Sequence, residues 1–241
     1  MLCLTFDTDH MDEVHMVRFL ESVEIPGQGT FFCTQRYYCL DATHHEIGPH
    51  PTLDARTEWD GELARARGLF PEARSWRSHS CVFSHLLAEW LAGNGYQCAS
   101  TNDQFGQRGI QPIRHPWGVW HLPIYYMDNM DFSRGAFWPN SGDSPFSDTL
   151  IDIAIANEGV YVFDFHPIHL LLNTPSRDFY FACRERFKTE GPLAELAFDG
   201  VGTRTFYQRL CKAMSEHGLR SLTLDEAISA HLARRATAGS P

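Results

Sequence analysis

Apolar residues along this chain fall into short runs separated by amphipathic stretches. Leu2 to Phe6 is a compact apolar run that ends in acids, the pattern of a buried strand. Met11, Val14, Val17 and Leu20 then recur at three-residue steps, which predicts a helix. Gly27-Gln28-Gly29 interrupts the chain before a second strand, Thr30 to Cys33. Ile47 and Gly48 lead into a polar turn at His50, and Glu62 to Leu69 suits a short helix. Phe83, Leu86, Leu87, Trp90 and Leu91 line one helical face, stopped by Gly93-Asn94-Gly95. Further strands are predicted over 96–99, 119–126 and 160–165, and a helix over 148–156. Two late helices are marked by Phe206, Leu210 and Met214, and by Leu224, Ala227, Ile228 and Leu232. Thr223 and Glu226 have the spacing of a capping box at the start of the last one.

Strands and helices in alternation predict an α/β fold with a parallel sheet, open or closed as a barrel. In either form the chemistry collects at the carboxyl ends of the strands. The 241 residues suit one domain, expected over 1–235, with a small polar tail over 236–241 expected to fray. A hydrophobic fraction of 43% and a charged fraction of 21% exclude a disordered chain. The net charge of −10 repels phosphate backbones and anionic lipid, so nucleic acid and membrane surfaces are not expected partners. No stretch approaches the ~20 apolar residues of a membrane span. The seven Cys are scattered without a C-x-x-C pair, and Met1 leads directly into a strand rather than into a basic, then long apolar, segment. Reduced thiols and a cytoplasmic location are expected.

Five polar constellations stand out against this frame. In the first, Asp7 and Asp9 follow the first strand two residues apart, an arrangement in which like charges repel unless a cation or a base lies between them. Acids satisfying a helix N-terminus would look the same. The second is His44-His45-Glu46-Ile47-Gly48-Pro49-His50, with Asp54 four residues on. Imidazoles and carboxylates together suit a divalent transition metal, and one helical turn opened by Pro51 would bring His50 and Asp54 to one face. The third, Arg74-Ser75-Trp76-Arg77-Ser78-His79-Ser80, offers an Arg able to hold an acid ionised, and His79 as a ligand. The fourth is the strand end at Asp128, with Asp131 beyond it. In the fifth, Val160 to Phe165 runs straight into His166-Pro167-Ile168-His169, placing an imidazole at a strand mouth, where a neighbouring carboxylate can raise its pKa for acid catalysis.

Taken in order, these segments resemble the polysaccharide deacetylase family, the NodB-homology group of the carbohydrate esterase family four type. Thr5-Phe6-Asp7-Thr8-Asp9 looks like its first motif and Gly29-Thr30-Phe31-Phe32 like the strand that follows. His45 to His50 looks like its metal-binding motif, and Arg77, Asp128 and His166 fall where the later motifs supply an Arg, an acid and a His. Arg77-Ser78-His79-Ser80 together with His166-Pro167-Ile168-His169 looks most like the divergent WbmS-like subgroup. Three positions depart from the family pattern. Thr8 separates the two acids, Asp54 stands where a second His is usual, and the aromatic after the third-motif Arg is missing.

The resemblance implies a single-domain, distorted (β/α) barrel and a metal-dependent hydrolase that removes an acyl group, N-acetyl foremost, from an amino sugar or a glycan precursor. It implies a divalent cation, Zn2+ by preference, held by Asp9, His50 and either His79 or Asp54, with His79 favoured. Asp7 is then the general base oriented by Arg77, and His166 the general acid supported by Asp128, with Asp131 and Asp164 as reserves. With no export signal, the expected substrate is a nucleotide- or lipid-linked sugar or a small amino-sugar compound. Trp117, Trp120, Phe137 and Trp138 are candidates to stack on a sugar ring. Two rival readings remain: a non-catalytic carbohydrate-binding protein on the same scaffold, and a haloacid-dehalogenase-type phosphatase. The second rests on Asp7-Thr8-Asp9, but Met11 stands where that class wants a hydroxyl, and the only Lys residues are Lys188 and Lys212.

Overall fold

The structure, a computed structural model, describes residues 1–54, 56, 58–134, 144–189 and 195–238. The strands are β1 (Leu2–Asp7), β2 (Gly29–Cys33), β3 (Glu46–Pro49), β4 (Ser75–Trp76), β5 (Cys98–Ala99), β6 (Ile113–Arg114), β7 (Trp120–His121), β8 (Ile124–Met127) and β9 (Tyr161–Phe165). The helices are α1 (Glu13–Ser22), α2 (Trp59–Leu69), α3 (His85–Gly93), α4 (Asp128–Asp131), α5 (Asp148–Ala156), α6 (Pro167–Leu172), α7 (Arg177–Thr189), α8 (Thr203–Glu216) and α9 (Leu224–Ala238).

Two sheets form the frame. The larger has the order β3-β2-β1-β9-β8 and is parallel throughout. The smaller has the order β4-β5-β7-β6, with only β6 antiparallel. They meet where β3 comes against β4. A Cβ on Gly48 would lie 2.6 Å from the Ser75 carbonyl oxygen, so this approach requires glycine. The two sheets thus run on into one curved wall, a distorted barrel.

Strand periodicity sorts β1 cleanly. Leu2, Leu4 and Phe6 face outward into the main core, where Phe6 lies 4.8 Å from Phe31 and 5.4 Å from Phe19 of α1. Each such ring contributes roughly 1.5–3 kcal/mol by leaving water. Cys3, Thr5 and Asp7 occupy the alternate face. Cys3 belongs to a second apolar cluster with Phe32, Leu122, Val162 and the α9 residues Leu224, Ala227 and Ile228, which seals the lower end of the barrel. The Thr223–Glu226 capping box is formed: Glu226 N donates to Thr223 Oγ1 (3.1 Å), and Thr223 N to Glu226 Oε2 (2.9 Å).

Two expectations are corrected. Residues 119–126 are not one strand: β7 and β8 belong to different sheets, and Pro123, which has no N–H to donate, lies between them. Residues 50–53 form no helical turn, so the one-face argument for His50 and Asp54 fails. The last helix runs to Ala238, and 239–241 lie outside the described residues. Helices α6 and α7 were not foreseen; α7 keeps only Phe187 buried.

Candidate active site

Six strands of the wall end at one rim, and each delivers a polar side chain there. Asp7 is the last residue of β1, while His50, Arg77, Ser100, Asp128 and His166 each follow directly on β3, β4, β5, β8 and β9. Backbone hydrogen bonds fix these exits: Thr8 N donates to Phe32 O (3.0 Å), His50 N to Cys33 O (2.9 Å) and His79 N to Pro51 O (2.9 Å). The turn after β1 continues through His10 at φ 61°, a left-handed conformation that side chains seldom adopt.

Below the rim, Arg77 is fully buried and serves as a hub. Its Nε donates to Ser100 O and its Nη2 to Ser100 Oγ, both at 2.7 Å. Its Nη1 donates to Asp7 Oδ1 (3.0 Å), to Thr5 Oγ1 (2.8 Å) and to Asp164 Oδ1. The guanidinium also stacks 4.5 Å from the Phe32 ring centroid. Burial raises the Asp164 carboxyl pKa, and the Arg77 charge only partly offsets it.

At the rim, Asp9, His50 and His79 bring ligand atoms within 4.8 Å of one another. His50 Nε2 and His79 Nδ1 each lie 3.2 Å from the Asp9 carboxylate. His50 Nδ1 faces the Arg77 carbonyl at 3.1 Å, which holds the proton there and leaves Nε2 as the donor. Burial alone would raise the Asp9 pKa, but the charge and hydrogen bonding of His50, with His79 and His166, hold it well below the usual carboxylate range. Two imidazoles and a carboxylate in this arrangement are a donor set that zinc accepts, with room for a further ligand. The residues present therefore fit a divalent metal.

His166 adjoins this cluster. Its Nδ1 lies 2.8 Å from Asp128 Oδ1, and its backbone N–H donates to Asp128 Oδ2 at 2.8 Å. Its Nε2 is thereby turned to the cleft, 3.7 Å from Asp9 Oδ2. Burial disfavours the imidazolium, but the Asp128 carboxylate overrides it and lifts the His166 pKa to about 10. The same pairing lowers the Asp128 pKa against its own burial.

The side chains singled out in the sequence separate clearly. Asp7, Asp9, His50, Arg77, His79, Asp128 and His166 converge. Asp54 does not: it pairs with Arg56 (2.8 Å) and stands outside the cluster. Asp131 is drawn to Arg134 (2.7 Å) and the Phe146 N–H (2.8 Å), not to the His166 ring. Asp164 bonds Arg77 and Thr5, yet it also helps raise the His166 pKa, after Asp128. Thr5 and Ser100 were overlooked; Ser100 sits one residue past the strand expected over 96–99 and obeyed the same strand-end rule as the others. Trp120 is core, Trp117 stacks on His115 (5.1 Å) away from the cleft, and Phe137 and Trp138 lie outside the described residues. The cleft over the cluster holds about 370 Å3. A larger groove of about 630 Å3, beside Tyr38, His44 and Arg74, touches none of these groups.

The sequence profile described as WbmS-like, polysaccharide deacetylase, matches residues 4–184. A solved structure from Bordetella bronchiseptica, assigned as a polysaccharide deacetylase involved in O-antigen biosynthesis, superposes with a TM-score of 0.71 at 24% identity, covering 88% of this chain and 89% of that one. A second, from Mycobacterium smegmatis and assigned as a polysaccharide deacetylase, gives 0.44 at 17% identity over 92% of both chains. A 4-α-glucanotransferase from Thermococcus litoralis gives 0.49 at 14% identity, over 95% of this chain and 38% of that one. No curated protein matches the sequence.

Proposed function

The chain belongs to the WbmS-like polysaccharide deacetylase family, and from that premise we propose that it hydrolyses the N-acyl amide, N-acetyl foremost, of an amino sugar. Membership sets aside the phosphatase reading of Asp7-Thr8-Asp9. The observation that carries the proposal is the placement of a carboxylate and an imidazole, both candidate proton-transfer groups, beside one metal-type cluster. Asp7 Oδ2 lies 3.6 Å from His50 Nε2, His166 Nε2 lies 3.7 Å from Asp9 Oδ2, and ligand atoms of Asp7 and His166 lie within 4.8 Å of each other.

Asp9, His50 and His79 would hold a divalent cation, zinc by preference. When bound, it supplies Lewis-acid polarisation of the amide carbonyl and acidifies water. The remaining work falls to the chain. Asp7, with Oδ1 held by Arg77 Nη1, offers Oδ2 to take a proton from water as its oxygen adds to the carbonyl carbon. His166, held by Asp128 through Nδ1, presents Nε2–H to the amide nitrogen. It gives that proton as the carbon–nitrogen bond breaks, releasing the carboxylate and the free amine. We place the reaction in the cytoplasm, where the seven unpaired thiols stay reduced.

The test is amine release from a panel of N-acetylated sugars by metal-loaded protein, with elemental analysis of each variant. Asp7→Asn and His166→Ala are expected to lose at least about 100-fold in kcat, within the range of a lost general acid or base, while keeping their metal. Wild-type turnover in either variant, or no turnover of any N-acyl sugar by the loaded wild type, would sink the proposal.

A further inference from the structure

The proton transfers at the rim leave one imidazole idle, that of His169. It follows His166 by three residues, so the two share a face of α6, and its backbone N–H donates to His166 O (2.8 Å). Both side chains line the cleft. The His169 residue is 3% exposed, and its ring meets Phe132 (4.9 Å) and Tyr180 (4.7 Å) edge-on. Nδ1 lies 3.1 Å from Thr174 Oγ1. Thr174 is fixed in turn: its N–H donates to His169 O (3.0 Å), and its carbonyl accepts from the N–H (3.1 Å) and the hydroxyl (3.0 Å) of Thr203 at the start of α8. Nε2 has no hydrogen-bond partner among the described residues. The rings of His166 and His169 are 5.2 Å apart, and a nitrogen of one lies within 4.8 Å of a nitrogen of the other. Burial drives the His169 pKa down to about 3 against the pull of Asp128, so His169 is neutral where His166 is protonated.

Resting on the deacetylase reading, we propose that His169 Nε2 accepts the N–H of the amide to be cut, with the imidazole proton on Nδ1 and donated to Thr174, and so turns the nitrogen lone pair towards His166. A flat amide has no localised lone pair on nitrogen. One forms as water adds to the carbonyl carbon and the nitrogen becomes pyramidal, and it must face His166 Nε2–H before the carbon–nitrogen bond can break. A nitrogen gripped by its own N–H cannot turn that lone pair away. Two partners of one tetrahedral nitrogen, each about 2.9 Å from it, stand about 4.7 Å apart. The spacing of the two imidazoles suits that requirement. His169 exchanges no proton: the lone pair takes the His166 proton, the carbon–nitrogen pair stays on nitrogen, and the original N–H stays intact in the amine. Neutrality serves the role, because an imidazolium has no lone pair with which to accept.

The test uses the full zinc-loaded chain, three amides (N-acetylglucosamine, N-acetylgalactosamine and N-acetylmannosamine) and one ester, 4-nitrophenyl acetate. The ester has no N–H to place and a leaving group that needs no proton, so its hydrolysis gives His169 nothing to do. His169→Phe, with its metal content unchanged, is expected to lose about tenfold or more in kcat/KM on the amide turned over best, and to change by less than about twofold on the ester. His169→Gln keeps an acceptor at similar reach and is expected to recover part of the amide rate. Nitrogen-15 NMR of the wild-type imidazoles reads the tautomer without any substrate, and Nδ1 of His169 is expected to be protonated and Nε2 bare. An Nε2–H tautomer, wild-type amide turnover in a folded His169→Phe variant, or equal losses on amide and ester overturns the inference. Equal losses in a protein that does release amine leave the deacetylase reading standing. A wild type that releases amine from none of the three sugars takes both down together.

Discussion

Asp128 is fully buried, and both its carboxylate oxygens are committed to His166, one to the ring and one to the backbone N–H. Its effect on the ring has a definite sign: the carboxylate raises the imidazole pKa, so removing it must lower that pKa. Asp128→Asn should therefore move the alkaline limb of the kcat/KM profile to lower pH, because the protonated acid is lost earlier as pH rises. An alkaline limb that stays in place would separate His166 from the proton donated to the amine. Arg77 carries a different liability. Its guanidinium is enclosed with Asp7 and Asp164, and Arg77→Met leaves two buried acids facing each other, at a cost of about 3–5 kcal/mol in a urea titration. At this scale the sequence was informative about Asp7, Asp128 and His166, since each follows an apolar run. It named Asp164 only as a reserve for His166 and could not show its engagement with Arg77, which depends on β4 and β9 facing each other across the barrel; it missed Ser100, whose hydroxyl has a role only because Arg77 reaches it.

Elements were legible where their cause is local. The capping box at Thr223 needs four consecutive residues and was found; Thr223→Ala should cost about 1 kcal/mol of stability. The division between β7 and β8 depends on Pro123 together with the sheet each half joins, and an apolar run conceals that. Helix α7 escaped notice because its cleft face carries Tyr180, Phe181 and two arginines in place of an apolar stripe, so the periodicity that announces a helix was weak there. The junction of β3 and β4 gives a sharper test. With only 2.6 Å between a Cβ on residue 48 and the Ser75 carbonyl oxygen, Gly48→Ala has no space, and roughly 1–3 kcal/mol should be lost as the strands part. A fall in the urea midpoint at constant slope would show it, and an unchanged midpoint would mean that the seam gives way freely.

For the molecule as a whole, alternation of strands and helices allowed an open sheet or a barrel, and only the order of motifs favoured the barrel, because closure is a property of distant pairings. Among the described residues, no helix is long and apolar enough to cross a membrane. Acid stability is also a property of the whole. His121 is buried against the Phe83 ring at 4.1 Å, neither ring nitrogen has a hydrogen-bond partner among the described residues, and burial depresses its pKa to about 4. Unfolded, it titrates near ~6.5. The unfolded chain therefore binds the extra proton first, and the stability tied to neutral His121 is complete above the unfolded value and lost as pH falls towards 4. His121→Phe should flatten that part of the profile of melting temperature against pH. Metal removal is the companion test: a cation bound only by the native rim raises the melting temperature, so chelation should lower it and added zinc restore it.

The place of β1 in the middle of the larger sheet has a consequence for how the protein is made. One of its edges is taken by β2, close by in sequence, but the other waits for β9, and the backbone partners Met1 and Gly159 are 158 positions apart. A nascent chain thus carries an open, apolar strand edge until β9 has been made, an invitation to aggregation that chaperones commonly shield. Asp7 and His166 stay strangers until that edge closes, so the candidate site cannot assemble before β9 joins the sheet.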